Sequence, residues 1–295
     1  MRLKIGKFDR KSNQLKQPQT INTYGRLLDF DRPRVMGILN ITPDSFFGAS
    51  RMKDLDATLQ KAATMLDEGA TFLDVGGYSS RPGAADVGIE EELKRVLEPI
   101  RQLHQAFPAA VISIDTFRRQ VAEKALEAGA AMINDISAGQ LDTSMLDMVA
   151  DTKVPYIAMH MRGTPQTMQD MTHYDNMIGE IARYFGEIHE KLSLRGACDL
   201  IMDPGFGFAK DRDQNFYLLG KMGLLKEMVE LPLLAGVSRK SMIFKTLGIS
   251  ADDSLNGTTV LNTLALQQGA DILRVHDVKP AIEAVQLIQK LREQA

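Results

Sequence analysis

Eight short apolar runs recur from Val35 onward: Val35–Leu39, Phe72–Val75, Val111–Ile114, Met132–Ile133, Pro155–Met159, Leu200–Met202, Leu233–Val237 and Ile272–Val275. Each is too short for a helix and ends in a polar residue or glycine, as buried parallel strands do. Longer segments of helical period separate them, among them Leu55–Glu68, Glu90–Ala106 and Ala281–Leu291. In the last, Ile282, Val285, Ile288 and Leu291 fall three apart and are expected to face the sheet. Three helices close on a similar phrase, Glu68-Gly69-Ala70, Glu127-Ala128-Gly129-Ala130 and Gln268-Gly269-Ala270, where glycine supplies a left-handed cap before the chain turns back. Eight βα units in one succession predict an α/β protein, a (β/α)8 TIM barrel, in preference to a doubly wound sheet. Residues 1–25 read as an N-terminal extension, a hairpin or disordered, and residues 26–295 as the barrel. Thr20–Phe30 has the makings of a short hairpin across the barrel's bottom.

Composition narrows the class. With 295 residues, 44% hydrophobic and 25% charged, the chain can build a core without disulfide or metal staples. A net charge of −3 and no long basic run argue against a nucleic-acid partner. No run of 18 apolar residues occurs and the N-terminus is polar, so neither a membrane span nor a signal peptide is expected. Cys198 is the sole cysteine, which suits a reducing, cytoplasmic setting.

In a barrel of this kind chemistry sits at the C-terminal ends of the strands. The runs end, in order, on Asn40, on Gly76-Gly77-Tyr78-Ser79-Ser80-Arg81-Pro82-Gly83, on Asp115-Thr116, on Asn134-Asp135, on Met159-His160, on Asp203-Pro204-Gly205-Phe206-Gly207-Phe208, on Ser238-Arg239-Lys240-Ser241, and on Arg274, His276 and Asp277. Taken singly, an aspartate after a strand is as often a helix cap, and an arginine a solvated charge. Their convergence on one mouth would leave it crowded with costly polar groups unless a ligand used them. Arg239, Lys240, Arg274 and His276 form a cationic cluster where such barrels hold phosphate. Asn40 offers a neutral oxygen to a phosphate-bound Mg²⁺, which needs few protein ligands. Asp115, Asn134 and Asp203 suit a nitrogen heterocycle rich in N–H donors, with Asp203 accepting a bidentate pair and Phe208 and Met159 as apolar walls.

Several chemistries are disfavoured. There is no G-x-x-x-x-G-K-[ST] loop and no G-x-S-x-G elbow. Gly205-Phe206-Gly207 begins like a dinucleotide fingerprint but meets Lys210 where the third glycine belongs. Five histidines without H-x-H or H-E-x-x-H speak against a zinc hydrolase.

These motifs together resemble one family. The stretch from Gly37 to Phe46 (GILNITPDSF) looks like the first signature of dihydropteroate synthases, and Asp74–Gly77 with Ser80-Arg81-Pro82-Gly83 like the second. Ser113–Thr116, Ile133–Asp135, Met159–Met161, Asp203–Phe208, Gly236–Ser241 and Arg274–Asp277 match in order, so that the resemblance runs from about Thr20 to Gln294. It implies a transferase that joins a pterin methyl diphosphate to p-aminobenzoate, with Mg²⁺ as cofactor and a homodimer as the assembly. Asp115, Lys240 and Arg81 would be catalytic. Asp115, Asn134, Met159, Asp203, Phe208 and Lys240 would hold the pterin. Asn40, Arg81, Arg274 and His276 would take the diphosphate, Asn40 also the metal. Ser80, Arg81, Pro82, Phe208, Lys240 and Ser241 would meet p-aminobenzoate. A pterin-binding methyltransferase domain and an inactive pterin-binding paralogue are the alternatives.

Two places depart from the family's pattern. Tyr78 stands where the common loop has glutamate, and the first loop continues as Phe46-Phe47-Gly48-Ala49-Ser50-Arg51. The loops at Thr42–Arg51 and Tyr78–Val87 are rich in Gly, Pro and Ser and are expected to move, with p-aminobenzoate binding only after the diphosphate has drawn Arg81 inward.

Overall fold

The computed structural model describes residues 19–23, 25–41, 51–78 and 87–294, of which 51–53 by backbone alone. An antiparallel hairpin comes first, β1 (Thr20–Thr23) and β2 (Arg26–Asp29). Then follow β3 (Arg34–Asn40), α1 (Arg51–Asp67), β4 (Phe72–Gly76), α2 (Ile89–Ala106), β5 (Val111–Asp115), α3 (Arg119–Ala128), β6 (Met132–Asp135) and α4 (Met145–Thr152). The rest are β7 (Tyr156–Met159), α5 (Met177–Ser193), β8 (Leu200–Asp203), α6 (Arg212–Val229), β9 (Leu234–Ala235), α7 (Ser241–Leu247), α8 (Leu255–Gln267), β10 (Ile272–Val275) and α9 (Val278–Arg292).

Strands β3 to β8 pair in sequence, all parallel, and β10 pairs with both β9 and β3. First strand against last is the signature of a barrel and rules out the doubly wound sheet. The ring is nearly closed. Between β8 and β9 the ladder shrinks to one bridge, Met202 to Leu233, with the Met202 amide donating to Pro232 at 2.9 Å.

The glycine-ended phrases behave as expected. Gly69, Gly129 and Gly269 have φ of +105°, +115° and +89°, and the following alanine amide reaches back to the helix in each case. Two expectations change. The run Leu233–Val237 yields only the two-residue β9, because the chain leaves the ladder at Gly236 to turn through Arg239, which is left-handed at φ +54°. On α9, Ile282, Val285 and Ile288 pack inward, but Leu291 is 58% exposed. Three steps of three residues rotate 900° at 100° per residue, which sets Leu291 opposite Ile282.

Successive inward positions stack in layers. The floor is apolar: Met36, Phe72, Met132, Ile157, Ile201, Leu234 and Ile272 cluster with Ile21 and Phe30 of the hairpin. The hairpin therefore corks the N-terminal end, tied down where the Asn22 amide donates to Asp199 (2.8 Å) and Gln19 to the Glu230 carbonyl (2.6 Å). Burial of Ile21 and Phe30 contributes about 1.5–3 kcal/mol each. A division after residue 25 falls in the turn of this hairpin, whose two strands form one unit. Among the described residues, no helix is long and apolar enough to cross a membrane.

Candidate active site

Two and four residues above the floor most inward positions are polar, and alternation along each strand sets them on the same side as the floor. β4 contributes Asp74, β5 Ser113 and Asp115, β6 Asn134, β8 Asp203 and β10 Arg274. Gly76 adds no side chain, and a Cβ there would meet Asp115 at 3.4 Å, so the glycine leaves room for that carboxylate.

Arg274 lies across this layer. Its Nε donates to Asp74 Oδ2 at 2.6 Å and its Nη2 to Asp115 Oδ2 at 2.7 Å. Asn134 Nδ2 donates to the same Asp74 oxygen at 3.0 Å. The guanidinium assigned from sequence to phosphate is thus engaged on the acidic side of the mouth. Burial pushes Asp115 up to about 7, with Asp74, Glu92 and Asp135 adding to the rise and Arg274 opposing it. Asp74 is fully buried, and its Oδ1, like the Oγ of its ladder partner Ser113, has no hydrogen-bond partner among the described residues.

A second centre forms around Asp203 and Lys240. Asp203 Oδ1 accepts from the Gly205 amide at 2.8 Å; burial raises its pKa, and Lys240 and Arg274 hold it down. Lys240 heads α7, donates to the Phe206 carbonyl, and sits 5.0 Å from the centre of the Phe208 ring. Burial lowers its pKa to about 8. Met159 is buried against Ile136, Met161 and Met168, with Phe208 alongside, as an apolar wall.

The remaining residues divide. Ser238 Oγ accepts the His276 amide (3.2 Å) and meets His276 Nδ1 at 2.9 Å. That geometry is satisfied with the serine donating, which leaves the imidazole proton on Nε2. Burial, with Arg274 and Arg239 nearby, depresses His276 to about 4, so the ring is neutral at pH 7. Arg239 does not join the cationic cluster: it forks onto Asp277 at 2.8 and 3.0 Å and reaches Asp252 at 3.2 Å. Asn40 and Ser241 are exposed, at the end of β3 and the start of α7. Ser80, Arg81 and Pro82 lie outside the described residues, as does most of the loop after β3. Tyr78 stands edge-on to Phe117, centroids 5.2 Å apart, with Arg118 over both rings. Neither Asp74, named from sequence only inside a motif, nor Lys210, named only where a glycine was missing, was given a role in the site. The first could have been, as a carboxylate in the middle of an apolar strand.

The pterin binding enzyme family matches residues 36–276, from the first barrel strand to His276. A dihydropteroate synthase of Escherichia coli (strain K12) is 41% identical over 267 residues, 90% of this chain and 94% of that one. The chain belongs to the dihydropteroate synthase family. A synthase from Synechocystis is 43% identical over 88% of this chain and 89% of its own. Solved dihydropteroate synthases share the fold. One from Yersinia pestis, in a sulfonamide drug complex, has a TM-score of 0.86 at 41% identity, covering 93% of this chain and all of that one. Another, from Xanthomonas albilineans with 4-aminobenzoic acid, has a TM-score of 0.85 at 39% identity over 94% and 99% of the two chains. Membership sets aside the methyltransferase alternative, which needs no diphosphate site.

Proposed function

We infer that the chain condenses 6-hydroxymethyl-7,8-dihydropterin diphosphate with p-aminobenzoate, giving 7,8-dihydropteroate and pyrophosphate, as a dihydropteroate synthase of folate biosynthesis. The observation that carries this reading is the polar layer over an apolar floor: Asp74, Asp115, Asn134 and Asp203 set against Arg274 and Lys240. A pterin presents a row of N–H donors, and buried carboxylates and an amide are its complement. Asp203 takes the amino and ring N–H pair. Asn134 and Asp115 take the opposite edge, and Met159 and Phe208 flank the ring.

Breaking the methylene C–O bond sends its electron pair out with the diphosphate and leaves a cation delocalised into the pterin. Ionised Asp115 stabilises that charge at short range. The arylamine lone pair then attacks the methylene from the face opposite the leaving group, and the nitrogen sheds its proton. No protein nucleophile takes part. The diphosphate falls to Asn40, His276 Nε2–H, Arg274 and Arg81. Arg274 serves it by swinging from Asp115. Phe208, Lys240 and Ser241, with Ser80, Arg81 and Pro82, form the p-aminobenzoate site.

Mg²⁺ belongs to the same proposal. No group of three or more His, Cys, Asp or Glu among the described residues would cage an ion. The single amide oxygen of Asn40 suits Mg²⁺ that arrives on a diphosphate and keeps its waters. Bound there, the ion would neutralise charge gathering on the leaving group. A homodimer is supported by apolar side chains exposed on neighbouring helices: Tyr217, Leu224 and Met228 on α6, Val260 and Leu264 on α8. The exposed free thiol of Cys198 fits a reducing cytoplasm.

Mixing both substrates with Mg²⁺ and the full chain should give dihydropteroate by mass spectrometry and pyrophosphate release that depends on p-aminobenzoate. Pterin binding with no turnover would identify an inactive paralogue instead.

A further inference from the structure

The loop from Asp203 to Lys210 bends through three left-handed residues, Gly205 at φ +72°, Gly207 at +81° and Ala209 at +48°. At Gly205 any side chain is barred, because a Cβ would lie 2.1 Å from the His160 carbonyl oxygen. Ala209 holds its conformation at a cost of roughly 1–2 kcal/mol. Something must hold the coil shut. Lys210 is 3% exposed, and its Nζ stands 3.0 Å from each of the Gly205 carbonyl, the Phe208 carbonyl and His160 Nδ1. Those three acceptors account for all three ammonium protons. Asn215 clamps the outside, accepting from the Gly207 amide at 2.7 Å and donating to the Lys210 carbonyl at 3.2 Å.

The coil so held has one further set of contacts. One carbonyl it does not give to Lys210, that of Phe206, receives Lys240 Nζ, and the Phe208 ring lies beside the same ammonium. The Gly205 amide binds Asp203. A buried ammonium is an expensive way to hold a largely buried coil, since methionine would fill the space without desolvating a charge. What the charge supplies is the placement of one carbonyl, that of Phe206, and one ring, that of Phe208, around Lys240.

We propose that Lys210 is a positioning residue for the reaction: it fixes the Asp203–Phe208 coil and, through the Phe206 carbonyl and the Phe208 ring, sets where Lys240 presents its ammonium. His160 is the base of the arrangement. Burial and the neighbouring Lys210 and Arg162 charges push its pKa well below the usual range, so that it stays a neutral acceptor. Burial likewise draws Lys210 down to about 7, with Asp203 opposing that fall.

The inference rests on Lys240 belonging to the site, and a double-mutant cycle separates the two claims. Lys210→Met should lower kcat on the order of 10²-fold, the scale of a side chain misplaced by about 1 Å, with little change in KM for the pterin diphosphate. In a Lys240→Met background the same substitution should cost almost nothing further. In an Arg274→Ala background it should cost its full factor. A merely structural lysine would lower activity by the same factor in every background, and that result, or a fully active Lys210→Met, overturns the proposal. If Lys240→Met alone is as active as the parent, the site assignment fails instead. Should Lys210→Met not fold, Lys210→Gln, which keeps two donors, goes through the same cycle with the same criterion.

Discussion

Arg274 and Asp74 are 200 positions apart in sequence, yet the arginine Nε and the aspartate Oδ2 lie 2.6 Å apart across the inside of the barrel, tying β10 to β4 over the intervening β3. Asp74 is fully buried, and this partner and Asn134 are the groups that hydrogen-bond its Oδ2. Arg274→Ala should therefore destabilise the fold by roughly 3–5 kcal/mol, the cost of stranding a buried ion. In the double variant Asp74→Asn, Arg274→Met much of the loss should return. Urea unfolding measures both. An Arg274→Ala protein as stable as the parent would mean that the pair holds nothing together.

The same arginine is proposed to serve the diphosphate. Arg274→Lys keeps a charge on Asp74 but loses the fork. It should weaken binding of the pterin diphosphate far more than binding of the free pterin alcohol, by calorimetry. Equal weakening of the two ligands would place the guanidinium's role on the ring side.

Asp203→Asn exchanges an acceptor for a donor where the pterin's own donors are to bind. The Gly205 amide can still be satisfied, so folding should survive. Pterin affinity should fall by about 2–3 kcal/mol, the penalty of a buried donor facing a donor. Unchanged affinity would remove Asp203 from the ring site.

Asp115 gives the reaction a pH dependence with a definite sign. Its pKa is raised to about 7, chiefly by burial, and the ionised form is the one that stabilises a cation. Turnover should rise with pH through about 7 and fall on acidification well above the range of an ordinary carboxylate. For stability the sign is reversed. A raised carboxyl favours the fold while protonated, so its contribution is complete below its unfolded value of about 3.9 and is lost as pH climbs through 7. Asp115→Asn should abolish the acidic limb together with most of the activity. Persistence of that limb would assign it to another group.

Order of addition follows from depth. Asp74 and Asn134 lie buried near the floor, and Ser241 is exposed at the rim. p-Aminobenzoate titrated into the enzyme alone should give little heat, and binding should appear once pyrophosphate and Mg²⁺ are present. Equal affinity in both titrations would mean a preformed arylamine site.

Val260 and Leu264 share one face of α8 and are exposed. Replacing both with arginine should leave the barrel folded and shift the sedimenting species from dimer to monomer. A parent protein that sediments as a monomer would end the dimer proposal.

Much of this site was legible because strands alternate. A polar residue closing each apolar run had to point into the mouth or away from it, and Asp115, Asn134, Asp203 and Arg274 all point in. What sequence withheld was who meets whom. Arg239 and Lys240 are neighbours in the chain, but a left-handed Arg239 turns out to Asp277 while Lys240 turns in toward Phe206. Lys210 looked like a missing glycine, because its burial depends on a coil that only the backbone angles of Gly205, Gly207 and Ala209 create. The Arg274–Asp74 contact depends on the tilt of the strands, which no short spacing encodes.

Between β8 and β9 the described cylinder is joined by one bridge, and Asp203 and Lys240 stand on the two lips of that seam. Elsewhere around the ring, ladders of backbone hydrogen bonds fix the distance from one wall to the next. Here one bridge and the Met202–Pro232 bond leave most of the gap to loops and side chains. Among the described strands it is the seam with the least ladder to resist widening, so a flat ring pressed between the lips meets a looser wall there than at the fully paired strands opposite.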